Sequence, residues 1–206
     1  MRSETVIAYS SNDHGTCTCG MALNQFHVLS SCPLRRLLYT DRHNKALDPI
    51  VDYLKTRGDV FREPTIKHED STIKPDIILV EPSKPDTAIV LDLQVTYERS
   101  EDSFEVASSS KIRKYLACFR SIRRWLRERG WPRMRRIKVK ALVFGGRGSI
   151  FRKTLALLKD RFEMPRTKIS AICSDIIDYS SYILAHQLPL PHADIFNSPH
   201  RYIDLT

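Results

Sequence analysis

One run of ten residues, from Ala88 to Tyr97, constrains the fold of this chain more than any other segment. Its side chains alternate, and in a β-strand successive side chains point to opposite faces. Asp92 interrupts the apolar positions between Leu91 and Leu93, where an acid is seldom buried without a partner. We therefore predict a strong strand with a functional carboxylate in its middle. The two faces are predicted to carry Ile89, Leu91, Leu93 and Val95 on one side, and Val90, Asp92, Gln94 and Thr96 on the other.

Helical and strand-like patterns lie on both sides of this strand in the sequence. Apolar positions at helical spacing predict a helical segment over residues 34–55, broken near Asp48-Pro49, and one continuous helix over residues 105–129. The chain is thus predicted to mix helices and strands. Further strands are predicted at 59–67, 76–80 and 137–144, and further helices at about 149–163 and 167–186.

The length of 206 residues and the hydrophobic content of 42% suffice for one ordinary core, whereas two full-sized domains would both be too small. We therefore predict one main domain with an appendage. No apolar run of signal-peptide length opens the chain and no segment approaches a membrane span, which predicts an intracellular protein without membrane contact. The predicted parts are a flexible lead-in at 1–16, a cysteine and histidine segment with a linker at 17–45, the main domain at 46–187 and an irregular tail at 188–206.

Positive charge is concentrated in one part of the chain. The formal net charge is +9, yet residues 111–140 hold 13 Lys and Arg against one acidic residue, whereas residues 1–110 hold 12 against 17. A charge run is usually a solvated face, but this density, with Trp125 and Trp131 interleaved, favours contact with nucleic-acid phosphates. The candidate DNA-binding residues in this block are Arg113, Lys114, Arg120, Arg124 and Arg127.

A second acid, Asp76, stands at the head of the apolar run 77–80. If neighbouring strands bring it to Asp92, the two carboxylates repel each other, and a divalent cation such as Mg²⁺ or Mn²⁺ relieves that repulsion. Such a cation polarises a phosphodiester and lowers the pKa of a bound water, while a nearby lysine, here Lys111, stabilises the developing charge. The alternative is that Asp76 is an ordinary strand-entry residue after Lys-Pro, as we interpret Asp86 in the second Lys-Pro-Asp sequence, and that Lys111 is solvated.

Four potential zinc ligands lie close together near the start of the chain. Cys17, Cys19, His27 and Cys32 form a C-x-C-x₇-H-x₄-C arrangement, and three thiolates with one imidazole complete a tetrahedral Zn²⁺ shell. We expect these residues to bind zinc. Two alternatives stay open, because a C-x-C pair leaves one residue fewer than usual in the turn: His14 competes as a ligand, or the knuckle has decayed and its cysteines are free.

Several short motifs follow one another after the cysteine and histidine segment. They are Arg42-His43-Asn44, Arg62-Glu63-Pro64, Lys74-Pro75-Asp76, Asp92 and Lys111-x₃-Tyr115. This ordered series resembles the restriction-like endonuclease domain, of the PD-(D/E)xK superfamily, in site-specific non-LTR retrotransposons, which carries a CCHC zinc knuckle just before an Arg-His-Asn motif. The resemblance extends from about Cys17 to Tyr115, and its specificity lies in the ordered set.

The resemblance implies an α/β fold with a restriction-endonuclease-like core, in which a mixed central sheet is flanked by helices, and it assigns roles to residues. Asp76 and Asp92 match the metal-binding carboxylates, Lys111 the catalytic lysine and Tyr115 its accompanying tyrosine. The broader superfamily has its lysine two residues after the second acid, where this chain has Gln94, but the retrotransposon family also carries the lysine on the helix. The interval between the two acids is longer than in the family, which leaves the strand register to be tested.

The resemblance also implies a function and partners. The expected activity is metal-dependent nicking of duplex DNA by phosphodiester hydrolysis. In the family, the nick primes reverse transcription of the element RNA by a reverse transcriptase domain of the full-length protein, in the nucleus. We expect Arg42 and His43 to contact DNA, with a structural role or metal ligation as the alternatives for His43, and we expect no small-molecule cofactor. The competing hypothesis is a decayed or domesticated module that keeps zinc and DNA binding without cleavage.

Overall fold

The computed structural model describes residues 15–100 and 102–185, and it has six strands in two sheets within that part of the chain. The strands are β1 (Asp59–Arg62), β2 (Ile66–His68), β3 (Ser71–Ile73), β4 (Ile77–Val80), β5 (Thr87–Thr96) and β6 (Arg136–Gly145). The central sheet has the order β1-β4-β5-β6, with β5 antiparallel to β4 and parallel to β6. A separate hairpin pairs β2 with β3. The strand predicted over residues 59–67 is thus two strands, because Glu63 adopts a left-handed backbone (φ 44°) and Pro64 follows it.

Five α-helices cover the two faces of the central sheet. They are α1 (Arg36–Lys55), α2 (Ser103–Ala117), α3 (Phe119–Arg127), α4 (Arg152–Ala156) and α5 (Arg166–Ala185), with π-helical turns at His27–Ser31 and Leu157–Arg161. This arrangement confirms the predicted mixed α/β architecture, in which a mixed sheet lies between helices. No helix in the described part of the chain is both long enough and apolar enough to cross a membrane.

Helix α1 runs through Pro49 without the predicted break. A proline inside a helix removes one backbone hydrogen bond and costs about 3 kcal/mol. Burial offsets this cost, because four apolar side chains around Pro49 are at most 2% exposed and hold the helix against the sheet. These side chains are Leu47, Ile50, Val51 and Leu54. The domain boundary predicted between residues 45 and 46 falls inside this helix.

The helix predicted over residues 105–129 is two helices, separated at Cys118. The Cys118 thiol donates a hydrogen bond to the Lys114 carbonyl at 3.3 Å, and the Cys118 backbone N–H donates to the Tyr115 carbonyl instead. A side chain that takes the carbonyl four residues earlier competes with the helical backbone bond and bends the chain. Leu116, two residues before the break, is 49% exposed.

The alternation along β5 divides the interior into two cores. Ile89, Leu91 and Leu93 pack against α1 and α5 on one face, as predicted. Ala88 and Val90 pack on the other face, against residues of α2 and α3. Asp92 lies on the same face of β5 as Ala88 and Val90, so its carboxylate points toward the side of the sheet that α2 covers.

The segment before α1 packs closely on the main domain. Val28 and Leu29 form a small buried cluster with Ile183 near the end of α5. The Tyr39 hydroxyl on α1 donates to the Val28 carbonyl at 2.7 Å and accepts from the Cys32 backbone N–H at 3.1 Å. The cysteine and histidine segment is therefore fixed to the rest of the fold by α1 and α5.

Candidate functional site

The two predicted acids lie side by side at the end of the β4 and β5 pair. The register pairs Ile77 with Leu91, and its continuation by one residue places Asp76 opposite Asp92. The Leu93 backbone N–H donates to Asp76 Oδ2 at 2.6 Å, which holds this carboxylate against β5. The long interval between the acids is taken up by a turn, and Asp86 lies in that turn, as predicted, where its carbonyl accepts backbone N–H groups of Arg135 and Arg136.

Asp92 is an acid in an environment that disfavours its charge. Its side chain is 3% exposed, and this burial is the main reason that its pKa is raised, with the charge of Asp76 adding to the effect. Lys111 opposes the shift, because its Nζ lies 2.5 Å from Asp92 Oδ2. The Lys111 side chain is 27% exposed, so it reaches the buried carboxylate from a partly hydrated position. Lys111 is therefore a buried acid's ion-pair partner and not a freely solvated lysine.

Tyr115 lies one helical turn after Lys111 on α2 and is fully buried. Its hydroxyl donates to the Lys74 carbonyl at 2.8 Å and accepts from the Lys114 Nζ at 3.1 Å. Burial and the nearby acids raise the pKa of Tyr115, so the phenol stays neutral. Tyr115 thus fixes the segment that leads into Asp76, which is a positioning contact between α2 and the acid pair.

A small cleft opens beside the acid pair. Its volume is about 220 Å³, and its walls include His43 from α1, Gln94 from β5 and Lys111 from α2. The His43 Nε2 lies 3.5 Å from Asp76 Oδ1, so an imidazole on α1 lies next to the Asp76 carboxylate. Ser30, from the cysteine and histidine segment, also lines the cleft. Sequence reasoning treated Gln94 only as the place of an absent lysine and missed Ser30, because only the packed fold brings that segment to β5.

Arg42, which was predicted to contact DNA, has contacts inside the protein. It is 3% exposed, and its guanidinium donates to the Ser180 hydroxyl and to the Leu29 carbonyl, both at 2.9 Å. Burial lowers the pKa of Arg42 to about 10. These contacts join the N-terminal segment to α5, and the buried Arg42 side chain also forms part of the wall of the cleft beside the acid pair.

Asp76 and Asp92 offer carboxylate oxygens, which is the ligand type that hard divalent cations prefer. Two carboxylates with additional waters are a common Mg²⁺ environment in proteins. The buried Asp92 Oδ2 has the Lys111 ammonium as its neighbour but no well-directed hydrogen bond. Within the described residues, only the cysteine and histidine cluster brings three or more potential ligand atoms within 4.8 Å of one another. A cation held by both Asp76 and Asp92 would therefore compete with Lys111 for Asp92.

The four predicted zinc ligands form that cluster. All four ligand atoms of Cys17, Cys19, His27 and Cys32 lie within 4.8 Å of one another. Cys17 Sγ and Cys32 Sγ are 3.8 Å apart, and Cys19 Sγ is 3.1 Å from His27 Nε2. A tetrahedral Zn²⁺ with Zn–S bonds of about 2.3 Å requires a sulfur to sulfur edge of about 3.8 Å. The short C-x-C spacing is thus compatible with a shared metal site. His14, the alternative ligand, lies outside the described residues.

Local backbone geometry explains how the cluster forms. Residues 16–22 make a tight hairpin, in which Gly20 takes a positive φ of 86° and donates its N–H to the Cys17 carbonyl at 2.7 Å. A hydrogen bond from the Cys19 backbone is the main cause that lowers the pKa of Cys17 to about 6. On His27, the Nδ1 atom lies 3.4 Å from the Ser31 hydroxyl, which leaves Nε2 directed at the thiols. The cluster has the donor set of a structural zinc site.

All five basic residues predicted to contact DNA on α2 and α3 are exposed, and two of them also contact other parts of the protein. Arg113, Arg120 and Arg124 are exposed on α2 and α3, as a DNA-contacting surface requires. Lys114 contacts the Tyr115 hydroxyl, and the Arg127 guanidinium donates to the Met134 carbonyl at 3.0 Å. The last two residues therefore also have structural contacts, which the charge pattern alone did not indicate.

Comparison of the sequence with protein-family models found no match, and comparison with curated proteins found no significant relative.

Proposed function

We propose that this chain is a metal-dependent endonuclease domain that nicks duplex DNA. The observation that carries the proposal is the cross-strand pair of Asp76 and Asp92, which meets the amine of Lys111 at the edge of a cleft. A buried acid is costly unless it is paired, and a carboxylate such as Asp92, whose pKa is raised and which has a charge partner beside a cleft, is a candidate active-site residue. The similarity of the motif series to the retrotransposon nuclease domain supports the same reaction.

The chain's own residues supply the parts of a phosphodiester hydrolysis. Asp76 and Asp92 are the residues that would hold the cation, and a bound cation would polarise the phosphodiester and lower the pKa of a water. Lys111, released from Asp92, lies in the cleft where its ammonium stabilises the negative charge that develops on the phosphate. His43 contacts Asp76 on the side away from Leu93 N–H and orients that carboxylate. Tyr115 holds the backbone before Asp76 through the Lys74 carbonyl.

The remaining predictions belong to the same proposal. The cysteine and histidine cluster holds one structural Zn²⁺, and exposed arginines of α2 and α3 contact duplex phosphates. By similarity to the family, the nick would prime reverse transcription of an element RNA in the nucleus, with a reverse transcriptase domain as the partner. The narrower identity, a restriction-endonuclease-like core of the PD-(D/E)xK type, rests on the motif series together with the mixed sheet between helices.

A second candidate is a binding module without cleavage. The contact that favours it is the Lys111 ion pair, which already neutralises Asp92 without any cation. A chain that had lost catalysis would keep this pair as a fixed structural contact, together with zinc and DNA binding.

Nicking of supercoiled plasmid in Mg²⁺ or Mn²⁺ distinguishes the two candidates. We expect wild type to convert supercoiled plasmid to open circles, and Asp92→Asn to reduce the rate by at least about a hundredfold, because the carboxylate that holds the cation is lost. Asp86→Asn is the matched control, since Asp86 ends the other Lys-Pro-Asp sequence and lies in a turn. Equal rates for wild type and Asp92→Asn would overturn the enzyme proposal.

A further inference from the structure

A second and larger depression lies next to the acid cleft. It is an open groove of about 650 Å³, and its walls come from three separate parts of the chain. Phe26 belongs to the cysteine and histidine segment, residues 17–32, which we now call the zinc-ligand segment. Tyr97 and Arg99 follow the end of β5, and Ser103 and Ser110 belong to α2. We call these residues the aromatic groove. Its volume is that of a site for a molecule of nucleotide size.

The aromatic groove carries stacking surfaces and a fixed cation. The rings of Phe26 and Tyr97 are 6.0 Å apart at 64°, and both side chains are partly exposed. The Arg99 guanidinium lies over the Phe26 ring, with Cζ 4.5 Å from the ring centroid. An arginine stacked in this way keeps its planar donors available for phosphate oxygens. Rings and arginine together are the chemistry that binds unpaired bases and their backbone.

The aromatic groove is continuous with the acid cleft. Gln94 lines both depressions, and it lies two residues after Asp92 on β5. On α2, the groove residues Ser103, Ala107 and Ser110 follow helical spacing toward Lys111, which lines the acid cleft. A strand that passes Lys111 thus has a continuous path onto the rings. Val106, 66% exposed on the same wall, adds apolar surface that no described neighbour covers.

We propose that the aromatic groove binds an unpaired DNA strand that continues from the phosphodiester held in the acid cleft. Phe26 and Tyr97, whose rings already lie under the Arg99 and Arg147 guanidinium groups, contact the unpaired bases, and Arg99 binds a neighbouring phosphate. This inference rests on the proposed nuclease function and makes it more specific: the preferred substrate is a duplex with an unpaired branch next to the cleavage position. The zinc-ligand segment thereby has a direct role in substrate binding, because it supplies Phe26.

The test measures binding separately from cleavage. Zinc-loaded protein is titrated, without added Mg²⁺ or Mn²⁺, into a fluorescent duplex with a central single-stranded branch and into the same duplex fully paired. A 2-aminopurine in the branch reports stacking. We expect wild type to bind the branched duplex about tenfold more tightly than the paired duplex and to quench the 2-aminopurine. Phe26→Leu keeps the apolar volume but should lose the quenching and most of the preference, and Arg99→Gln should weaken binding of the branched duplex.

Two controls keep the result interpretable. Arg166→Gln removes an exposed arginine at the start of α5. The other end of α5 packs on the zinc-ligand segment, so Arg166 is about 28 Å from that end along the helix. It should leave the branch preference unchanged. Zinc content is measured for Phe26→Leu, and one equivalent of retained zinc shows that the segment is still folded. Equal wild-type affinity for both duplexes, or an undiminished preference in zinc-loaded Phe26→Leu, would overturn the groove proposal. The binding experiment measures affinity for the branched duplex and involves no cleavage. Plasmid nicking therefore tests the nuclease proposal independently.

Discussion

At the residue scale, the molecule places two charged side chains where burial is costly and gives them different partners. Asp92 is buried beside a like charge and is neutralised by a lysine from another element. Arg42 is buried without any acid at hydrogen-bond distance, and its two terminal nitrogens donate to a hydroxyl and a carbonyl. The first arrangement leaves a charge imbalance that a cation would relieve, whereas the second joins two parts of the fold. This difference separates the catalytic proposal for Asp92 from the structural role of Arg42.

The raised pKa of Asp92 predicts a pH-dependent effect of Asp92→Asn. The folded chain binds the Asp92 proton more tightly than the unfolded chain does, so the folded state loses stability as the pH rises from the unfolded pKa, about 3.9, through the folded pKa. Asparagine cannot ionise and avoids this loss. We predict that in cation-free buffer Asp92→Asn has a higher Tm than wild type at pH 7 and a smaller difference at pH 4. Thermal unfolding at both pH values checks this, and a Tm that is lower at pH 7 would contradict it.

Arg42→Ala is predicted to destabilise the fold by about 2–4 kcal/mol, because it removes two buried charge-assisted hydrogen bonds and leaves the Leu29 carbonyl without its partner. Urea unfolding measures the change in the free energy of unfolding. Arg113→Ala serves as the control, since an exposed arginine should change that free energy by no more than about 0.5 kcal/mol. If Arg42→Ala kept full stability and lost only DNA affinity, the structural role would be wrong.

At the element scale, α1 and α2 bring distant parts of the chain to the ends of β4 and β5. Helix α2 carries Lys111 and Tyr115 to the acids, while α1 carries His43 to Asp76. The zinc-ligand segment packs on α1 and α5 through Val28, Leu29 and Tyr39. Its ordering therefore contributes to the acid cleft as well as to the aromatic groove.

Zinc removal is predicted to loosen one end of the molecule and spare the sheet. Without the metal, the close thiols have no cation to join them, and the hairpin at 16–22 loses its main restraint. Hydrogen exchange after chelation should accelerate at residues 17–32 and near Ile183, with β4 and β5 still protected. Cys32→Ala should bind no zinc, whereas Cys173→Ala, which changes a thiol outside the cluster, should bind one equivalent. Unchanged exchange at residues 17–32 would contradict a zinc role.

At the scale of the whole molecule, features that follow from local sequence patterns were predicted, whereas contacts between distant segments were not. The faces of β5 follow from a period of two, and the zinc ligands follow from spacing, so both were visible in the sequence. The burial of Arg42 was not visible in the sequence, because it depends on a contact with Ser180, 138 positions away. The break at Cys118 depends on a thiol that takes a helix carbonyl, and the direct opposition of the two acids depends on the β4 and β5 register. The aromatic groove combines three segments and has no sequence signal of its own.

The positive surface predicts a salt dependence of duplex binding. Each phosphate that the protein neutralises contributes about −0.9 to the slope of log affinity against log salt concentration. Replacing both Arg120 and Arg124 by glutamine should therefore make the slope shallower by about 1.8, if each contacts one phosphate. Fluorescence anisotropy over a range of salt concentrations measures this slope. Arg166→Gln should leave it unchanged, and an unchanged slope in the Arg120 and Arg124 double variant would place the DNA on another surface.

The cation site at Asp76 and Asp92 is tested most directly by Mn²⁺ binding to zinc-saturated protein, followed by electron paramagnetic resonance. We predict one bound Mn²⁺ in wild type and in Asp86→Asn, and none in Asp92→Asn. The Lys111→Met variant should bind Mn²⁺ more tightly, because the ammonium no longer competes for Asp92. Wild-type protein that binds no Mn²⁺, or an Asp92→Asn variant that binds it equally well, would contradict the assignment of this acid pair as a catalytic metal site.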